Sequence, residues 1–110
     1  MLLRPYAGVL IFNGDADSCV PYIGNEEWTT DLAATGVITE TEGWRPWYAP
    51  TTKNAGGSFA PAGYVTSYAV AGTDLDFSFV TVRLSGHMVP NFTPGAALTF
   101  FGRYLAGEAF

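Results

Sequence analysis

The run Val9-Leu10-Ile11-Phe12-Asn13 is apolar at consecutive positions and does not alternate. A strand of that kind buries both of its faces, which is the situation of a parallel strand inside a sheet covered by layers on either side. A second strongly apolar run, Phe77 to Leu84, makes the same demand near the other end of the chain. The coarse order of elements is strand, helix, two strands, strand, helix. Two helices are too few to cover both faces of so apolar a sheet. The chain is therefore expected to be α/β in class and part of a larger mixed sheet with flanking helices. Composition agrees: 48% of the 110 residues are hydrophobic and 14% charged, whereas a free-standing domain carries about a quarter charged residues. Some faces of this chain are expected to be covered by something outside its sequence.

Between the two runs, the residues after Pro21 predict a helix with Glu26 and Glu27 near its start, Trp28 and Leu32 on one side and Gly36 as terminator. Trp44-Arg45-Pro46-Trp47-Tyr48 and Gly63 to Val70 are aromatic and β-branched, and predict two antiparallel edge strands. Pro46 suits an edge, where its missing N–H costs no ladder bond. Lys53-Asn54-Ala55-Gly56-Gly57-Ser58 predicts a long, mobile connection between them. Thr73 to Asp76 forms a turn before the second apolar run. After Pro90, Thr93 suits a helix N-cap and Pro94 the first helical position. Ala97, Phe101 and Leu105, with Leu98 alongside, then predict one buried helix face as far as Leu105.

Each apolar run ends in a turn that carries chemistry. Val9 to Phe12 leads into Asn13-Gly14-Asp15-Ala16-Asp17-Ser18-Cys19-Val20-Pro21, with two carboxylates in the turn. Phe77 to Leu84 leads into Ser85-Gly86-His87-Met88-Val89-Pro90, with the only histidine of the chain. An imidazole that accepts a nucleophile's proton must be held in one tautomer, and a carboxylate on its other N–H does this while stabilising the imidazolium. A strand followed by Gly-Asp-x-Asp, and later a strand followed by Gly-His, is the chain order acid then base expected of α/β-hydrolases, whose nucleophile comes earlier still.

These pieces, with Gly24 to Leu32 after the first and Pro94 to Leu105 after the second, resemble the C-terminal part of a serine carboxypeptidase, an α/β-hydrolase peptidase that removes single residues from peptide C-termini. The resemblance covers nearly the whole chain, so residues 1–110 are expected to be one C-terminal segment of such a domain. By position, Asp17 resembles the family's catalytic aspartate and His87 its catalytic histidine, 70 residues apart. Asp15 is the rival for the acid role; Asp17 is preferred because it stands directly before Ser18-Cys19-Val20-Pro21, where the family places the acid. Asp15 is expected to cap the turn through nearby backbone N–H groups. Met88 resembles a residue lining the pocket for the departing C-terminal residue. Val20 falls where some members carry a cysteine or asparagine near the other side of the scissile bond.

The family's Gly-x-Ser-x-Gly nucleophile is not found. Gly56-Gly57-Ser58-Phe59-Ala60 lies between acid and base, follows no buried strand, and is read as a loop coincidence. The resemblance thus implies a serine-type carboxypeptidase whose acid and base are here, whose serine lies on an N-terminal part of the same or a separate chain, and whose substrate is a peptide. This segment alone is expected to be inactive. Acyl transfer to an alcohol is an open alternative, because relatives with the same triad do this; a short, non-catalytic binding protein is another. The resemblance also implies a vacuolar, lysosomal or secreted setting.

Other classes fit poorly. Net charge is −5 and the pI about 4.5, with Lys53 and four scattered arginines, so no basic stripe exists to follow nucleic acid. No run is long enough to span a membrane, and the start has no signal-peptide core. Cys19 alone can form neither an internal disulfide nor, with one histidine, a zinc site, and it is expected to be a small buried hydrophobe. No metal or cofactor is expected. Asn91-Phe92-Thr93 spells a glycosylation acceptor, but the helix start and following proline argue against its use.

Overall fold

A computed structural model describes residues 8–50 and 60–110. The connection predicted at Lys53 to Ser58, and with it Ser58, lies outside the described residues. Seven elements follow in order: β1 (Val9–Gly14), α1 (Tyr22–Ala34), β2 (Ile38–Trp47), β3 (Gly63–Val70), β4 (Asp76–Val82), the single turn α2 (Val89–Phe92) and α3 (Pro94–Ala106). The four strands form one mixed sheet in the order β1-β4-β3-β2. β1 and β4 are parallel, with Val9 opposite Phe77 and Gly14 opposite Val82; β3 is antiparallel to both β4 and β2. With helices beside the sheet, this is a partial α/β fold.

β4 satisfies the demand its sequence makes. Every residue from Phe77 to Val82 is buried. On one face, Val80 and Val82 join Val65, Trp47, Ala62, Val89, Ala96, Ala97 and Phe100 in the main core. Phe100 of α3 reaches both Trp47, edge to face at 6.0 Å, and Phe12, at 5.1 Å. The Trp47 Nε1–H, buried with its ring, donates to the Thr81 carbonyl at 2.9 Å, which removes the penalty of an unpaired indole donor. On the other face, α1 brings Trp28 edge-on to Phe77 at 6.3 Å, and Trp44 stacks on Tyr64 and Phe79.

Several expectations are corrected. β1 is parallel, as its run predicts, but it stands at the end of the sheet among the described residues, and Val9 and Phe12 remain exposed. Only β2 is an edge strand of the predicted pair: β3 is internal, because its other side pairs with β4. β2 also begins at Ile38 rather than Trp44, with irregular pairing between Glu40 and Glu42 and between Glu42 and Arg45. In α1 the buried residue is Thr29, while Trp28 is exposed and ties its indole N–H to Asn25; Gly36, at φ 82°, follows the helix end as expected.

α3 buries Ala96, Ala97 and Phe100, whereas Leu98 and Phe101 are exposed. The face is rotated from the predicted one because Phe100 is the ring that fits between Phe12 and Trp47. Thr93 occupies the N-cap position but makes no side-chain cap bond. Its hydroxyl turns back instead to the Val89 carbonyl and the Ser85 hydroxyl.

Candidate active site

The parallel pairing of β1 and β4 brings their C-terminal ends, and the turns that follow, side by side. The two turns are then stitched together by the backbone. Asp15 N–H donates to the Val82 carbonyl at 2.9 Å, and Ala16 N–H to the Ser85 carbonyl at 3.0 Å. The approach is close enough that Gly14 has no room for a side chain: a methyl group there would collide with the Ser85 and Gly86 carbonyls. Gly86 is similarly confined by the ring of Phe92.

Within this junction His87 Nδ1 lies 2.9 Å from Asp17 Oδ2. The two residues that the sequence places 70 positions apart are in direct contact. The Asp17 side chain is 4% exposed and that of His87 57% exposed, so the carboxylate is sunk beneath an imidazole that faces out. The other carboxylate oxygen, Oδ1, accepts the backbone N–H groups of Cys19 at 2.8 Å and Val20 at 3.0 Å. These donors, the Val20 N–H above all, hold the Asp17 pKa below its ordinary value of 3.8, with the hydrogen bond from His87 adding to the effect and burial opposing it. Asp17 is thereby kept as an anion that accepts the Nδ1–H, leaving Nε2 as the basic nitrogen of the neutral ring.

A depressed folded-state pKa contributes stability that is present above the unfolded value and lost as pH falls through the folded one. The stability advantage of the native chain over Asp17→Asn is therefore expected to shrink as pH falls through 3.8 and below. Urea unfolding at pH 6 and pH 3 would measure it. A difference that grew on acidification would contradict this description of the carboxylate.

The acid turn rests on a polar network that the sequence reading did not single out. Buried Asn13 donates through Nδ2 to the Gly14 and Val20 carbonyls, both at 2.9 Å, and accepts from Asn25 Nδ2 at 2.6 Å. Asn25 in turn accepts from Trp28. The network fixes the turn to α1, and its signal was available: a polar side chain closing a run that the sequence expects to be buried must have partners. Ser85, fully buried, was also missed.

The two carboxylates divide their tasks differently from expectation. Asp17, not Asp15, caps its own turn. Asp15 Oδ1 instead accepts the Leu84 N–H at 2.7 Å, across to the other turn. Cys19 is exposed, not buried, because its N–H is directed at Asp17 in a surface turn. Val20 and Met88 both have exposed side chains, Val20 in the acid turn and Met88 next to His87 at the head of α2. Among the described residues no serine hydroxyl is paired with His87.

A mixed sheet flanked by helices, with a carboxylate and an imidazole joined at the ends of two neighbouring parallel strands, defines an α/β chain with a candidate site at that pair. The comparisons make the class specific. The serine carboxypeptidase family model matches residues 2–107, and the chain belongs to that family, one of serine-type peptidases. It is 38% identical to Serine carboxypeptidase-like 21 of Arabidopsis thaliana, an alignment covering 90% of this chain and 17% of that protein. It is 37% identical to Serine carboxypeptidase 1 of Hordeum vulgare, covering 90% and 16%. With Carboxypeptidase Y homolog A of Pyricularia oryzae the identity is 34%, over 93% and 17%. The chain thus spans about a sixth of the length of these curated relatives.

Proposed function

We propose that this chain supplies the catalytic acid and base of a serine carboxypeptidase, Asp17 and His87, to a serine nucleophile carried by sequence other than these 110 residues. The observation that carries this reading is the 2.9 Å contact between His87 Nδ1 and Asp17 Oδ2, with the rest of the imidazole open. Family membership supports the reaction type. The open edge of β1 among the described residues, with Val9 and Phe12 exposed, fits a sheet that continues in the rest of the hydrolase domain.

In the reaction, His87 Nε2 takes the proton of the serine hydroxyl as its oxygen attacks the last peptide carbonyl of the substrate. The same proton then passes to the nitrogen of the departing C-terminal residue as that C–N bond breaks. Water, deprotonated by His87 in the same way, adds to the remaining acyl group, and His87 returns that proton to the serine oxygen as its bond to the acyl carbon breaks. Asp17 stays ionised throughout, orienting the ring through Nδ1–H and stabilising the imidazolium. Met88 and Val20, exposed on the two turns, border the peptide on either side of the scissile bond. One relative is a lysosomal protective protein of Mus musculus, which supports a lysosomal, vacuolar or secreted setting; among the described residues no helix is long and apolar enough to cross a membrane.

The test is release of the C-terminal residue from N-blocked dipeptides. The 110 residues alone should release none. In the enzyme that includes the serine, His87→Gln should lower kcat by at least about 10³-fold, within the range of triad deletions. Full activity in His87→Gln, or activity of the 110 residues that Ser58→Ala abolishes, would overturn the assignment.

A further inference from the structure

The bond from Leu84 to Asp15 joins two observations that the acid–base pair does not use. Leu84 is the one non-glycine residue with positive φ among those described, at 58°. Left-handed backbone is unfavourable for a residue with a Cβ and persists only where the surroundings over-determine it. The Leu84 side chain does not supply that compensation, since it is 72% exposed and packs little apolar surface in return. Its N–H does: it is held at 2.7 Å by the Asp15 carboxylate, a charge-assisted hydrogen bond stronger than a neutral one. Leu84 is also the residue at which the chain leaves β4 and turns toward Ser85, Gly86 and His87. The chain on either side is already pinned, before it through Arg83 N–H to the Ala62 carbonyl and after it through the Ser85 carbonyl to Ala16 N–H. The conformation of Leu84 therefore decides the direction in which the His87 loop departs from the sheet.

We propose that Asp15 is a positioning residue for His87: its carboxylate holds Leu84 in the left-handed conformation that aims the imidazole at Asp17. This rests on the reading of His87 as the base. The first Asp of the Gly-Asp-x-Asp turn thus acts on the base loop, and the second on the base itself. Asp15 makes no hydrogen bond to the imidazole, whose carboxylate partner is Asp17. What it contributes is geometry, and a displacement on the order of 1 Å in a catalytic group can cost about 10²-fold in rate.

Four variants of the enzyme that includes the serine test this: Asp15→Ala, Asp15→Asn, Leu84→Gly, and the double variant Asp15→Ala with Leu84→Gly. Asp15→Ala should lower kcat about 10- to 100-fold, within the reach of such a displacement, with KM nearly unchanged. Asp15→Asn keeps an oxygen acceptor and should stay within about threefold of the native enzyme, since the bond loses only its charge assistance. Glycine adopts positive φ without steric cost, so Leu84→Gly in the Asp15→Ala background should recover at least fivefold of the loss. The imidazole nitrogen resonances of His87, assigned as those lost in His87→Gln, report its tautomer. The Nδ1–H form should dominate in the native enzyme and in Asp15→Asn, and give way to a tautomer mixture in Asp15→Ala.

Asp15→Ala within twofold of native, while His87→Gln is inactive, would overturn the positioning role and leave the base assignment standing. A slowed Asp15→Ala that Leu84→Gly does not improve would also overturn it. Full activity in His87→Gln would remove the reading beneath both. Should Asp15→Ala fail to fold, the double variant decides: a folded enzyme with kcat within about tenfold of native supports Asp15 acting through Leu84, and a double variant that also fails to fold, or folds with a larger loss, rejects it.

Discussion

Asp17→Asn, made in the enzyme that contains the serine, is expected to lower kcat by about 10⁴-fold, the cost of presenting the wrong imidazole tautomer in other triads. The asparagine amide is nearly the same shape as the carboxylate, and its oxygen can still accept the Cys19 and Val20 N–H groups that now bind Oδ1. Its NH₂ would then face His87 Nδ1. A donor there meets the ring only if Nδ1 is the acceptor, which leaves Nε2 protonated and unable to take a proton from serine. The fold should survive and KM should change little, because nothing in the substrate's path has moved. A loss smaller than tenfold would reject Asp17 as the acid, and Asp15→Asn, predicted to be mild, is the control that separates the two carboxylates.

Gly14→Ala is expected to damage both activity and stability. The new methyl would collide with the carbonyl oxygens of Ser85 and Gly86, which are backbone atoms with no rotamer through which to escape. The His87 loop must therefore move off β1, taking with it the Ala16–Ser85 bond. A shift on the order of 1 Å corresponds to a loss of about 10²-fold in kcat, accompanied by a loss of about 1–3 kcal/mol in stability from overpacking. Steady-state kinetics together with urea unfolding would measure both. Native kcat in Gly14→Ala would mean that the two turns are less tightly joined than their contacts indicate.

Where burial dictates residue type, the chain was legible. β4 follows from an apolar run that is buried throughout, and α3 begins where Thr93-Pro94 predicts; β1 follows as a parallel strand, but the burial expected of its run is not met at Val9 and Phe12. Polar edges were not legible. Ile38 to Gly43 reads Ile-Thr-Glu-Thr-Glu-Gly, a strand whose side chains after Ile38 face solvent, so it carries no hydrophobic signal. The single turn α2 is too short for any helical period to register. The buried face of α3 was misjudged because spacing along a helix does not reveal which ring, Phe100 or Phe101, will meet Phe12 and Trp47.

The site divides in the same way. Asp17 and His87 were found because their motifs are distinctive along the chain. The roles of Asn13 and Asp15 depend on what lies across from them, Asn25 in one case and Leu84 in the other. Those partners exist only once α1 has docked and β1 and β4 have set their register. Cys19 was misplaced for a related reason: a small apolar-seeming residue beside a buried strand was outweighed by its place in a surface turn.

The parallel neighbourhood of β1 and β4 has a consequence for how such chains can vary. Adjacent strands lie about 4.8 Å apart whatever the path between them. The spacing of acid and base is therefore a property of the ladder, and the intervening chain from α1 through β3 is an excursion that leaves and returns. Lengthening the connection between β2 and β3 changes the outline of that excursion without changing its two endpoints. Loop closure adds only about 0.6 kcal/mol for each doubling of length. The surroundings of the site can thus be remodelled by insertion while its carboxylate and imidazole remain in register.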